Sequence, residues 1–125
     1  MGRFLLIIGA LFFIMTADKA GASDSENQIF LDLKDGRVVI DLLPDVAPKH
    51  VERFTTLAKN KQYDGVVFHR VIDGFMAQTG DVKFGNSKNF NPALVGTGGS
   101  DLPDLKAEFN SIPHIRGTLS MARSA

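Results

Sequence analysis

Ile29, Phe30 and Leu31 form a short apolar run, and apolar and polar residues alternate from Leu31 onward. Ile29, Leu31 and Leu33 are apolar, while Asp32 and Lys34 are polar. Strand geometry puts Ile29, Leu31 and Leu33 on one face and turns Phe30 to the other. Val38 to Leu43 resumes the apolar run with β-branched residues, and Asp35-Gly36 stands between. This pattern predicts a hairpin whose type I′ turn holds Asp35 and Gly36 at positive φ. Beyond Pro44 the period changes. Val51, Phe54, Leu57 and Ala58 recur at helical spacing. They predict a helix from Pro48 to Asn60 whose apolar face covers one end of a sheet. Pro48 suits the first turn, where its missing N–H is not needed. Lys59 and Lys61 suit the negative end of the helix dipole, and Asn60 tolerates the left-handed conformation of a helix stop. Val66 to Val71 and Phe75 to Gln78 read as two more strands, turned at Asp73-Gly74. Residues 82–104 are rich in Gly, Asn, Ser and Pro and read as a long loop, a place where function often sits. Lys106 to Phe109 and Gly117 to Ala122 read as short strands. The pattern as a whole is mostly antiparallel β with one helix, a barrel or a sandwich.

The N-terminus departs from this pattern. Arg3 precedes an apolar run from Phe4 to Met15, followed by Ala20-Gly21-Ala22. A basic start, an apolar stretch and a small-x-small site are the layout of a secretory signal peptide. A run of this length falls well short of the roughly 20 helical residues that span a hydrocarbon core. Residues 1–22 are therefore expected to be cleaved on export, with an uncleaved N-terminal anchor as the alternative. Residues 23–27 are a polar lead-in, and residues 28–125 form a single domain.

Composition narrows the chemistry further. Hydrophobic content is 44% and charged content 22%, ordinary for a globular domain. Cleavage after Ala22 leaves 12 basic and 13 acidic residues, so no net charge recruits nucleic acid or an anionic membrane. No cysteine is present, which removes disulfides, thiol nucleophiles and thiolate metal sites. An exported chain without cysteine fits a bacterial periplasm. The three histidines, His50, His69 and His114, lack the close spacing of a metal site, and neither a metal nor another cofactor is expected. Ser120 lacks the glycine elbow of a hydrolase nucleophile. Gly96 to Ser100 lacks the Gly-Lys-Ser/Thr ending of a phosphate loop. A turn-rich loop accounts better for that run.

One segment concentrates the remaining candidates. Phe68-His69-Arg70-Val71-Ile72-Asp73-Gly74-Phe75-Met76-Ala77-Gln78-Thr79-Gly80-Asp81 brings a permanent cation, an apolar pair and a neutral amide together without a nucleophile. That set suits a reaction in which no covalent bond breaks. The segment resembles the active-site run of the cyclophilins, the peptidyl-prolyl cis–trans isomerases. The resemblance extends over Ile29 to Ala125. It includes Gly96-Thr97-Gly98-Gly99-Ser100, Lys106-Ala107-Glu108-Phe109 and His114-Ile115-Arg116-Gly117-Thr118-Leu119-Ser120-Met121-Ala122-Arg123, in family order. The Met-Ala-Arg of the last stretch resembles bacterial members, where many eukaryotic ones have Met-Ala-Asn. Asp73 stands where the family commonly has proline.

The resemblance implies an eight-stranded closed barrel capped by two helices. It also implies catalysis by Arg70 and Gln78, a proline pocket floored by Phe75 and Met76, and substrate backbone contacts at Ala122 and Arg123. Family members continue past the position of Ala125 into further pocket residues, a second helix and closing strands. The expected fold is thus mainly β, a cyclophilin-like antiparallel β-barrel with a capping helix, incomplete in this chain. The expected activity is isomerisation of proline-containing polypeptides during folding of exported proteins. The alternatives are a non-catalytic fragment that holds proline peptides and a non-functional truncation product.

Overall fold

The computed structural model describes residues 27–123. The signal peptide expected at residues 1–22 and most of the lead-in lie outside that range. Four strands and one helix follow in the order β1 (Gln28–Leu33), β2 (Gly36–Asp41), α1 (Pro48–Lys59), β3 (Arg70–Ile72) and β4 (Met76–Gln78). β1 pairs antiparallel with β2, and β3 with β4, as two separate two-stranded sheets.

The first hairpin follows the alternation in its sequence. Gln28 faces Asp41, Phe30 faces Val39 and Asp32 faces Arg37 on one side, while Ile29 faces Ile40 and Leu31 faces Val38 on the other. The first side is clamped by polar contacts. Gln28 Nε2 donates to Asp41 Oδ1 at 2.7 Å, and Arg37 Nε donates to Asp32 Oδ1 at 2.6 Å. The Arg37 guanidinium also lies 4.8 Å from the centre of the Phe30 ring. The turn differs from the expected one. Lys34 and Asp35 are its two central residues, and neither has positive φ. Gly36 opens β2 at φ +142°, so the glycine relieves the strand beside the turn rather than forming its centre.

Helix α1 begins without a side-chain cap of its own, because Ala47 at the N-cap position has no acceptor. The carboxylate of Glu108 supplies it, accepting from the Lys49 and His50 amides at 3.0 Å each. At the other end Lys61 N–H donates to Ala58 O and Gln62 N–H to Leu57 O. These two bonds make a Schellman stop. The left-handed residue in it is Lys61 at φ +58°, while the expected Asn60 stays at φ −82°. The apolar face of α1 makes no extensive contact with either sheet. Phe54 instead packs against Tyr63 in the following loop, ring centres 5.2 Å apart, and Leu57 is the one large apolar side chain that counts as buried among the described residues.

Three expected strands come out otherwise. Of Val66 to Val71, only Arg70 and Val71 join a strand. Val66 makes an isolated bridge to Asn86, and Val67 N–H reaches Gly85 O. Lys106 to Phe109 runs as irregular chain fastened by Glu108 to α1, and Gly117 to Ala122 has no ladder partner among the described residues. A strand needs a neighbour for its N–H and C=O groups, and neither segment finds one. Among the described residues the fold is mainly β with one helix, and its two sheets do not close into a barrel. Many large apolar side chains stay exposed, among them Phe30, Val39, Leu119 and Phe109.

Candidate functional site

β3 and β4 place the candidate residues. The ladder pairs Arg70 with Gln78, Val71 with Ala77 and Ile72 with Met76. Side chains alternate across a strand, so Arg70, Ile72, Met76 and Gln78 project from one face of the hairpin. Arg70 Nη1 donates to Gln78 Oε1 at 3.5 Å, a long bond between exposed groups that is readily given up to a ligand. The hairpin is held by the His69 N–H donating to Gln78 O at 3.0 Å and by the turn bond from Phe75 N–H to Ile72 O at 3.1 Å. Thr79 Oγ1 fastens its end to Val67 O at 2.9 Å.

The other expected residues are less gathered. Met76 is half-buried beside Gln78, but Phe75 sits in the turn with 75% of its surface exposed. Ala122 and Arg123 are exposed, and neither hydrogen-bonds with Arg70 or Gln78. The Arg123 guanidinium lies over Phe109, 6.0 Å from its ring centre. Ile72 was missing from the sequence reading. The period-2 spacing from Arg70 is the signal that points to it.

A buried carboxylate organises the neighbouring loop, and the sequence reading assigned it no role. Asp81 is almost fully buried. Its Oδ1 accepts from the Lys83 and Phe84 amides at 3.1 and 2.8 Å, and its Oδ2 from the Gly96 and Gly98 amides at 2.7 and 3.1 Å. Burial by itself would push the Asp81 carboxyl up, but the four amides outweigh it and hold it below the usual aspartate range. Gly98 approaches so closely that a Cβ there would stand 2.5 Å from Asp81 Oδ1. The Gly-rich run thus folds around a carboxylate of its own chain, which removes the phosphate-loop reading. The only sequence signal was the short spacing from Gln78 to Asp81 followed by the glycines.

Comparison with known proteins decides the family. Residues 28–125 match the family described as cyclophilin type peptidyl-prolyl cis-trans isomerase/CLD. The chain belongs to the cyclophilin family. A protein of Brucella suis biovar 1 (strain 1330), named a probable peptidyl-prolyl cis-trans isomerase, is 60% identical over 106 residues, covering 84% of this chain and 54% of its own. A protein of the same name from Brucella abortus (strain 2308) is 59% identical over the same length. A Staphylococcus saprophyticus protein, also carrying a peptidyl-prolyl cis-trans isomerase name, is 41% identical over 103 residues, or 80% of this chain and 47% of its own. The chain spans about half the length of the curated relatives it matches. No solved structure gives a significant match. In this cyclophilin chain no cluster of three or more metal-ligating His, Asp or Glu side chains occurs among the described residues. No helix among them is long and apolar enough to cross a membrane.

Proposed function

We propose that this protein is a peptidyl-prolyl cis–trans isomerase acting on proline-containing polypeptides, with Arg70 and Gln78 as its catalytic residues. The observation that carries the reading is their direct opposition in the β3–β4 ladder, inside the family's matching segment. An X-Pro bond resists rotation because amide resonance gives it double-bond character, with a barrier of about 18–20 kcal/mol. Twisting the bond localises a lone pair on the prolyl nitrogen. The Arg70 guanidinium is planar, permanently charged and rich in fixed donors. A donor aimed at that lone pair stabilises the twisted state and not the planar ground states, which is what lowers a barrier without moving the equilibrium. Gln78 donates through its amide to the substrate backbone and keeps the acyl side still while the prolyl side turns. Met76 and Ile72 supply apolar surface to the proline ring from the same hairpin face. Phe75, Ala122 and Arg123 complete the substrate contacts in this reading.

A second reading, peptide holding without turnover, draws support from the 75% exposure of Phe75 and the absence of any hydrogen bond from Ala122 or Arg123 to Arg70 or Gln78. An isomerisation assay on a proline peptide separates the two. Arg70→Ala is expected to lower kcat/KM by at least about tenfold, since a hydrogen bond to a charged group is worth roughly 1.5–3 kcal/mol. Peptide binding without catalysis in the unmodified protein favours the second reading.

The site of action proposed is outside the cytoplasm, in a bacterial periplasm, on polypeptides that fold after export. Support comes from the apolar run Phe4 to Met15 before Ala20-Gly21-Ala22. N-terminal sequencing of the protein recovered from cells is expected to start at residue 23. Recovery of Met1 in the membrane fraction would point to an anchor.

A further inference from the structure

The hairpin bearing Arg70 and Gln78 is joined to the Gly-rich loop through one side chain. His69 precedes Arg70, and its backbone N–H is bonded to Gln78 O. Both of its ring nitrogens are buried and make no hydrogen bond. A buried imidazole without partners is costly, so packing rather than polarity holds the ring in place. Gly96 provides that packing. A Cβ at Gly96 would stand 3.2 Å from His69 Cδ2 and 3.3 Å from Nε2, and Gly96 has φ +91°. Only glycine meets both demands without displacing the ring. The backbone of Gly96 is in turn fixed by its N–H bond to the buried carboxylate of Asp81 at 2.7 Å. Asp81 follows Gln78 by three residues, so the chain of contacts closes on itself.

We infer that His69, Gly96 and Asp81 are positioning residues that set the direction of the Arg70 guanidinium: Asp81 holds Gly96 down on the His69 ring, and the seated ring fixes the start of β3. None of the three touches substrate. This inference rests on the isomerase reading for its effect on rate, while its structural half stands apart from that reading. Arg70 lies on the surface of a three-residue strand, and so short a strand gives its first residue little intrinsic direction. The wedge beneath it supplies the constraint that the ladder lacks. A catalytic donor misplaced by a fraction of an ångström loses transition-state stabilisation with little effect on ground-state binding.

The test uses the full-length protein and Gly96→Ala. The methyl group is expected to displace the His69 ring and shift the side-chain NMR resonances of Arg70 and Gln78. It is also expected to lower kcat by about tenfold with less than about a twofold change in KM. In a double-mutant cycle, Gly96→Ala should cost less than about twofold once Arg70 is already alanine, because the same stabilisation cannot be lost twice. Should Gly96→Ala melt without cooperativity, His69→Ala removes the ring and leaves the backbone intact, and the same kcat loss and the same non-additivity are expected of it. An undiminished penalty in the Arg70→Ala background, or unmoved Arg70 and Gln78 resonances, overturns the inference. An inactive unmodified protein whose Arg70 resonances still move in Gly96→Ala would instead sink the isomerase reading and leave the positioning contact standing.

Discussion

Glu108 caps helix α1 from 58 residues away, with its Oε2 2.6 Å from His50 Nδ1 and 3.0 Å from the His50 amide nitrogen. A carboxylate has no proton to give, so the His50 Nδ1–H is the donor. Burial works against the ionised Glu108, but the His50 ring and the two amides outweigh it and lower its pKa. Glu108→Ala is expected to lower the melting temperature by several degrees and reduce helical circular dichroism. Because the folded pKa lies below the unfolded one, this support is present above the unfolded value and is lost as pH falls through the folded value. The melting temperatures of the unmodified and Glu108→Ala proteins should therefore converge on acidification.

Asp81 obeys the same sign with a larger structural reach. Asp81→Asn keeps one acceptor oxygen of the two and sets an NH₂ against amide donors. A loss of at least about 2 kcal/mol is expected, within the range for a buried charged hydrogen-bond network. The difference should persist near neutral pH and shrink below the ordinary aspartate value of about 3.9. Denaturant unfolding at both pH values measures it, and a pH-independent difference would contradict the assignment.

Lys61 holds the left-handed position of the α1 stop, where glycine is usual. The left-handed conformation costs an L-residue roughly 1–2 kcal/mol. Glycine gives back part of that through its freer unfolded chain, about 0.4–1 kcal/mol. Lys61→Gly is thus expected to stabilise by about 0.5–1 kcal/mol in denaturant melts, with activity unchanged. A destabilised Lys61→Gly protein would mean that the Lys61 side chain contributes more than its backbone costs.

Arg70 and Gln78 should be separable by substitution. Arg70→Lys keeps the charge and loses the planar fork, so turnover should fall to nearly that of Arg70→Ala. Gln78→Ala removes neutral hydrogen bonds of about 0.5–1.5 kcal/mol and should cost roughly two- to tenfold in kcat/KM. Both proteins should melt like the unmodified one, since both side chains are exposed or half-buried at a hairpin surface. A fully active Arg70→Lys protein would reduce the role of Arg70 to its charge.

The 125-residue chain should bind a dye specific for apolar surface and self-associate as its concentration rises. Leu57 is the one large apolar side chain that counts as buried among the described residues, whereas Phe109 is 88% exposed and Phe75 75% exposed. Open strand edges and exposed apolar side chains invite association. A chain that stays monomeric and binds no dye would show that these surfaces cover one another in solution.

Both hairpins and the helix could be read from the chain because their causes are local. Alternation fixed the faces of β1 and β2, including the outward turn of Phe30, and helical spacing located α1 to within a residue. The run from Phe68 to Asp81 carried the family and the second hairpin, but the pairing of Arg70 with Gln78 depends on a three-residue turn over 73–75, since a two-residue turn at Asp73-Gly74 would set Arg70 opposite Ala77. Turn detail was less legible. One residue's shift moved the first turn from Asp35-Gly36 to Lys34-Asp35, and the helix stop passed from Asn60 to Lys61, because closing hydrogen bonds and not single-residue preference choose the position. The role of Glu108 lay beyond local pattern altogether: in its own segment it reads as part of a strand, and only the folded chain brings it to the bare amides of α1. The same holds for Asp81, whose four amide donors come from two stretches of loop, and for His69, whose seat depends on an absent Cβ at Gly96. Periodicity reports which face a residue occupies. Which distant backbone groups meet a buried carboxylate or ring is decided by the long-range path of the chain.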